Sequence, residues 1–339
     1  MNIKQFARLS GFSTATVSRV FSHDPKVRRS TADRIRKLAE AYDFRPNAVA
    51  QSAFNGKTRS IGVLLCSLRT SYFADIAQGI QEVLLPEDYL PIMVSLRGNG
   101  DFISMRRLVD HRVDGIIACI SDENFTEAEL REIERFNLPV VTIDAFGKRF
   151  FSENISSDEE ACGKLAADCL LSRGHRNLCF LSGNPWPVEL LPRFLSFRAT
   201  LAEQGIALEE SSIFSFREIG EEKRMDALCQ WLKTRPLPCA CYCYNDNDAR
   251  LLYDAAASLG VRIPEELSVI GTADLNFASA LVPKLTTIRQ NGVEIGSLAA
   301  HAMLRLLNAD SRELSRQISN VTLVERDSVA NLKKKGRKP

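Results

Sequence analysis

Ten residues near the amino end, Phe12-Ser13-Thr14-Ala15-Thr16-Val17-Ser18-Arg19-Val20-Phe21, combine short hydroxyl side chains, one guanidinium and an apolar set. At helical spacing Val17, Val20 and Phe21 share one face, which leaves the hydroxyls and Arg19 on the other. Small polar side chains let a helix lie deep in the major groove of DNA, where an Arg can engage guanine O6 and N7 together. An ordinary Ser-capped helix would look similar, so the string needs support from its surroundings. Residues that make and break bonds are not arranged to do so. The sequence has no G-x-G-x-x-G after a strand, no G-x-x-x-x-G-K-[ST], no G-x-S-x-G and no H-E-x-x-H. Its four histidines (His23, His111, His175 and His301) are too scattered for a metal or triad site. Cys239, Cys241 and Cys243 alternate along a predicted buried strand, where free cysteine packs as a small hydrophobe. No cofactor or metal is expected.

The elements that must position Arg19 read as three short helices. Ile3 to Ser10 stops at Gly11, Ser13 caps a second helix from Thr14 to about Phe21, and Ser30 with Asp33 suggests a capped start for a third, Thr31 to Tyr42. Ala32, Ile35, Leu38, Ala39 and Tyr42 would form the apolar stripe of the third helix. Pro46 and Asn47 then introduce a very short segment, Ala48 to Phe54, too short to be a stable helix alone, which should order only on binding. Residues 1–59 carry twelve basic and four acidic side chains, a net of +8, and the closing KKKGRKP adds +5 to a chain whose total is only +2. A basic head on an acidic body is where a polyanion would bind, since neutralised phosphates release their condensed counterions.

From Ser60 onward, strand-like runs begin at Ile61, Pro91, Gly115, Pro139, Leu178, Cys239 and Ser268, each of the first six followed by a helical stretch. This predicts a parallel α/β body of two doubly wound lobes, whose ligands bind beyond the carboxyl ends of the strands. With 339 residues and 45% hydrophobic side chains, there is apolar content for two or three packed domains. No apolar run approaches the length of a membrane span, and Met1-Asn2-Ile3-Lys4-Gln5 opens no signal peptide. Nine cysteines with no C-x-x-C fit reduced thiols, so a cytoplasmic location with no bridged cysteine is expected.

Taken together, Ser-x-x-Thr-Val-Ser-Arg-Val, Arg45-Pro46-Asn47-Ala48-Val49-Ala50-Gln51-Ser52 and Ile61-Gly62-Val63 resemble the start of a LacI/GalR transcriptional regulator. The likeness continues through Val113-Asp114-Gly115-Ile116-Ile117, Leu138 to Asp144, Gly174-His175-Arg176, Asn245-Asp246, Leu285 to Gln290 and Arg326-Asp327-Ser328. It implies an all-α helix-turn-helix head (1–45), a hinge helix (46–58), a two-lobed α/β body of periplasmic-binding-protein type (59–330) and a basic disordered tail (331–339). It also implies a homodimer on double-stranded operator DNA, most simply a repressor, controlled by a small effector between the lobes, sugar-like rather than purine. By match to the family motif, Thr14, Ala15, Thr16 and Arg19 would face bases, and Ser13, Ser18, Lys26 and Arg28 would lie near phosphates. In the hinge, Asn47, Ala50, Ala53 and Phe54 would meet the operator centre.

Two departures stand out. The family hinge usually has Leu where this chain has Ala53, although Phe54 beside it is a known type of wedge. Sugar-binding members usually carry Gly-aromatic-Asp-Asp where this chain has Gly271-Thr272-Ala273-Asp274, so one hydroxyl acceptor is lost at Ala273. The remaining effector residues implied by the match are Tyr72, Phe73, Asp144, Arg193, Asn245 and Gln290, a set suited to a polyhydroxylated or weakly anionic ligand. Tyr72 and Phe73 could instead be core aromatics. A solute-binding protein of a transport system shares the body fold but not the basic head, and an enzyme on two such lobes lacks any motif.

Overall fold

The computed structural model describes residues 1–22, 24, 26–45, 57–96, 102–120, 125–145, 153–184, 186–308 and 315–333. The hinge residues Asn47, Ala50, Ala53 and Phe54 lie outside the described residues, as do 334–339 of the basic tail.

The head is three helices, α1 (Ile3–Ser10), α2 (Thr14–Phe21) and α3 (Arg29–Ala41). Asn2 and Gln5 form a reciprocal capping box on α1, Gly11 ends that helix at φ +72°, and the Ser13 side chain accepts from the Thr16 N–H at the start of α2. The positive φ is why a glycine stands at the turn between the two helices. α3 corrects the expected cap. It begins at Arg29 with Arg28 at the N-cap and no side-chain cap bond, so Ser30 lies inside the helix. The stripe is also corrected at its end: Tyr42 is exposed, and Phe44 takes the inner place, stacked on Phe6 at 4.2 Å. Around that stack close Ala7, Val17, Val20, Ala32, Ile35 and Ala39.

The body holds two six-stranded sheets. Strands β1 (Ser60–Leu65), β2 (Leu90–Ser95), β3 (Gly115–Ala118), β4 (Val140–Ile143), β5 (Glu153–Ser157) and β11 (Ser315–Ser319) make an all-parallel sheet in the order β11-β5-β4-β3-β1-β2. The second sheet has the order β12-β10-β9-β8-β6-β7, built from β6 (Leu178–Ser182), β7 (Ile213–Ser215), β8 (Cys239–Cys243), β9 (Leu267–Thr272), β10 (Thr286–Gln290) and an antiparallel edge β12 (Val321–Val324). In the first lobe, α4 (Ser71–Leu84) and α11 (Gly292–Asn308) cover one face of the sheet, while α5 (Phe102–Asp110) and α6 (Glu127–Arg135) cover the other. In the second, α7 (Glu159–Ser172) and α8 (Pro192–Glu203) oppose α9 (Arg224–Lys233) and α10 (Asp246–Leu259).

Helices on both faces make each strand apolar on both sides, which is why the central strands read as continuous hydrophobic runs. The strand-then-helix alternation fails at the fourth run: among the described residues β4 is followed by another strand, β5, and then by α7. The chain passes between lobes at 157–158, 290–292 and 319–321, and those passages are tied together. Asp158 N–H donates to Ser319 O at 3.0 Å, the Ser319 hydroxyl to Glu294 at 2.6 Å, and the Gln290 amide to Glu159 at 3.2 Å.

Residues 331–333, expected in the free tail, remain docked, with Leu332 N–H donating to Arg173 O at 2.9 Å. The nine cysteines are free, and Cys239, Cys241 and Cys243 are core residues of β8.

Candidate operator-reading surface and interlobe site

Val17 and Val20 are buried, so α2 turns Thr14, Ala15 and Arg19 outward. The Arg19 side chain is 62% exposed and only loosely paired with Asp24 at 3.9 Å, which leaves its guanidinium available. Ser13 and Thr16 are less free, since their hydroxyls bond one another at 2.8 Å while Ser13 also caps the helix. Ser18 is half-buried; Lys26 and Arg28 are exposed on the turn and at the start of α3.

At the carboxyl ends of the strands, six expected residues fall on several elements. Tyr72 is the second residue of α4, Asp144 follows β4 at φ +51°, Arg193 is the second residue of α8, Asn245 is the N-cap of α10 and Gln290 ends β10. Tyr72 and Asp144 meet directly, the phenol donating to Asp144 Oδ2 at 2.7 Å, while Ser157 N–H donates to Asp144 Oδ1 at 3.2 Å. Phe73 is half-buried beside Tyr72, ring centroids 5.3 Å apart in an edge contact.

Arg193 departs from its expected role. Only 4% exposed, it makes a two-pronged ion pair with Glu159, with Nε to Oε2 at 2.6 Å and Nη2 to Oε1. Nη1 donates to the carbonyl of Tyr244, and the guanidinium lies 4.1 Å from the centre of the Tyr244 ring. Gln290 also spends its amide on Glu159. Three of the five guanidinium N–H donors are therefore committed within the protein. Asn245 is likewise occupied, its side chain accepting from Asp248 N–H at 3.0 Å. Glu159, absent from the sequence-based set, organises the site. Its only local signal is that an acid opens α7, a common way to satisfy a helix N-terminus.

The electrostatic balance follows. Burial, then the nearby Glu159 charge, pushes the Asp144 carboxyl up to about 6; burial and the Asp144 charge raise the Tyr72 phenol well above its ordinary value. Asp246 and Asp248, buried at the start of α10, are each pushed to about 7 by burial, although Asp246 accepts from Thr287 and Leu275 and Asp248 from Gly183. A carboxylate ligand facing Arg193 would meet a cation already neutralised by Glu159, with Asp144 alongside. Asp274 does not replace the acid missing at Ala273, because it is held by Arg326 at 2.6 Å and Arg289 at 2.7 Å.

A three-helix head with an exposed polar face on α2, followed by two doubly wound lobes with aromatic and acidic groups at their strand ends, defines a ligand-controlled DNA-binding regulator. Residues 2–47 match the family model described as bacterial regulatory proteins, lacI family, and residues 167–329 match a periplasmic binding protein-like domain. The chain is 30% identical over 336 residues to the HTH-type transcriptional repressor PurR of Vibrio atlanticus (strain LGP32), covering 97% of this chain and 99% of that protein. It is 27% identical over 338 residues to the ribose operon repressor of Haemophilus influenzae, covering 98% and 99%. Among solved structures, the lac repressor dimer bound to operator and the anti-inducer ONPF superimposes with a TM-score of 0.79 at 21% identity, over 97% of this chain and 99% of that one. The chain belongs to the lacI family of bacterial regulatory proteins and is a DNA-binding transcriptional regulator.

Proposed function

We propose that the protein is a homodimeric, cytoplasmic repressor that reads a two-fold operator through α2 and is controlled by a small uncharged effector held between its lobes. The exposed face of Thr14, Ala15 and Arg19 over buried Val17 and Val20 carries the DNA-reading half of this assignment. Thr14, Ala15, Thr16 and Arg19 would face base edges; Ser13, Ser18, Lys26 and Arg28 would hold the backbone, and contacts of that second kind position the protein without specifying sequence. The domain divisions at 45, 58 and 330 belong to the same proposal.

For the effector, two carboxylates (Asp144 and Glu159) and one guanidinium (Arg193) favour a neutral polyhydroxylated molecule, a sugar or sugar derivative, over a sugar acid. Tyr72 and Phe73 support a second reading, a purine base stacked on the aromatic pair, in keeping with the PurR relatives. A thermal-shift screen of sugars, sugar acids and nucleobases separates these, because a ligand at 100 times its dissociation constant stabilises by about 2.7 kcal/mol. Stabilisation by neutral sugars alone supports the first reading. Stabilisation by nucleobases replaces it with the second, and stabilisation by sugar acids alone refutes the uncharged-effector assignment.

A further inference from the structure

The ends of β1 and β3 carry two cysteines that the regulatory reading leaves unused. These strands are parallel neighbours with Leu64 opposite Ala118, and Cys119 N–H donates to Leu64 O at 2.8 Å. Cys66 follows β1 immediately and Cys119 follows β3. A diagonal step of one residue across adjacent strands places alpha carbons about 6 Å apart, within the span of a disulfide. Cys66 lies in the bend that ends β1 and turns toward β3, its Sγ donating to the Cys119 carbonyl oxygen at 3.5 Å. Cys66 is exposed, whereas Cys119 is 8% exposed.

We propose that Cys66 and Cys119 form a peroxide-sensitive thiol pair that closes reversibly into a disulfide at the strand ends below Tyr72. The Cys66 thiolate attacks one peroxide oxygen; an S–O bond forms, the O–O bond breaks, and the departing hydroxide leaves as water after taking up a proton. The Cys119 sulfur then attacks the sulfenic sulfur. The S–S bond forms as the S–O bond breaks, and the second water carries away the Cys119 proton. Two thiols lose one electron each and the peroxide gains two.

Accessibility selects this pair. Cys179 and Cys239 also stand on neighbouring strands, β6 and β8, but each is only 1% exposed. The neighbouring Cys119 side chain lowers the Cys66 pKa, and thiolate character together with exposure is what marks a redox-sensitive cysteine. Transient disulfides of this kind are compatible with a reducing compartment. Closure would tether the segment 66–70 that leads into Tyr72 and Phe73.

The test treats the full-length protein with near-stoichiometric hydrogen peroxide, alkylates the remaining thiols and digests it without reduction. The expected result is loss of two of the nine free thiols, a linked peptide pair containing Cys66 and Cys119 that is two hydrogens lighter than its parts, and full recovery with dithiothreitol. In Cys119→Ser, a dimedone adduct should accumulate on Cys66. The proposal is overturned if wild-type Cys66 is carried to sulfinic acid with Cys119 still free, if Cys179–Cys239 is the first pair to link, or if no thiol is lost.

Discussion

Removing the charge of Arg193 tests whether it is a structural ion pair or a ligand donor. In Arg193→Met the guanidinium is gone, and Glu159, itself 4% exposed, has no cation left. An unpaired buried carboxyl of this kind takes up a proton instead of staying charged. Protonating an ordinary glutamate of pKa about 4.3 costs about 3.7 kcal/mol at pH 7 and about 1 kcal/mol at pH 5, at about 1.36 kcal/mol per unit. The folded variant then holds a proton that the unfolded chain releases, so its stability falls as pH rises across this window. Arg193→Met should therefore lose about 3 to 4 kcal/mol at pH 7, and most of that loss should vanish by pH 5. At about 2 to 4 °C per kcal/mol for a unit of this size, Tm would drop by about 6 to 16 °C at pH 7. The reverse change, Glu159→Leu, strands a guanidinium that cannot shed its proton, so its penalty of about 3 to 5 kcal/mol should persist at both pH values. The double variant Arg193→Met/Glu159→Leu should recover most of the stability, since an apolar pair of similar volume often replaces a buried ion pair without loss. Urea unfolding followed by circular dichroism at pH 5 and pH 7 gives all three. An Arg193→Met protein destabilised by less than about 1 kcal/mol at pH 7, or equally at both pH values, would refute the reasoning and return Arg193 to the ligand.

Other substitutions probe separate parts of the molecule. Arg19→Ala should weaken operator binding by about 1 to 3 kcal/mol and relax sequence preference at one position per half-site, read by fluorescence anisotropy across a panel of single-base variants; unchanged affinity and preference would remove Arg19 from base reading. Asp248→Asn removes a carboxyl whose pKa is raised on folding, so relative to the wild type it should be more favourable at pH 8 than at pH 5, checked by denaturant midpoints at the two pH values. Gly79→Ala puts a methyl 2.0 Å from the Val293 carbonyl, where α4 and α11 touch backbone to backbone, and should cost about 1 to 3 kcal/mol or more in thermal unfolding, against about 1 or less for Ala74→Gly on the exposed face of α4. Light scattering at micromolar concentration should give a dimer; a monomer would contradict the two-headed reading of the operator.

The head was legible because its signals are local: Gly11 and Ser13 ahead of Thr16 lie within a single turn of chain, as does the Asn2–Gln5 capping box that the sequence reading passed over. The third helix shows the limit of such signals. Ser30 has the chemistry of a cap, but the helix begins two residues earlier than Thr31, at Arg29 with Arg28 as its N-cap, leaving the Ser30 side chain with no cap to make. In the body, β1, β3, β6 and β8 announce themselves as apolar runs, whereas β5, Glu153-Asn154-Ile155-Ser156-Ser157, is polar in composition and still fully buried. Two of its polar side chains are satisfied by other segments, Glu153 by Arg305 and Gln317, and Asn154 by Thr142 and Ala145, while the Ser156 and Ser157 hydroxyls are buried without a hydrogen-bond partner among the described residues. The partnership of Glu159 with Arg193 has the same character. Thirty-four residues separate them, and what brings them together is Gly163, whose missing side chain lets α7 approach the Arg193 carbonyl closely; a Cβ there would stand 2.1 Å from it. No local pattern encodes that approach.

The three stapled passages between the lobes restrict how the body can move. A single connecting strand would let one lobe twist, slide or separate from the other. Three side by side, joined by Asp158 to Ser319, Ser319 to Glu294 and Gln290 to Glu159, act as a short torsion bar, stiff to shear and stretch but compliant in bending. Domain motion of the hinge type concentrates backbone change in a few such element-terminal residues. Because Glu159 is at once a staple of this bar and a neighbour of Asp144, an occupant of the interlobe site would load the bar at its own axis. What it could transmit is an angle between the lobes, set by which groups it touches and independent of how large it is.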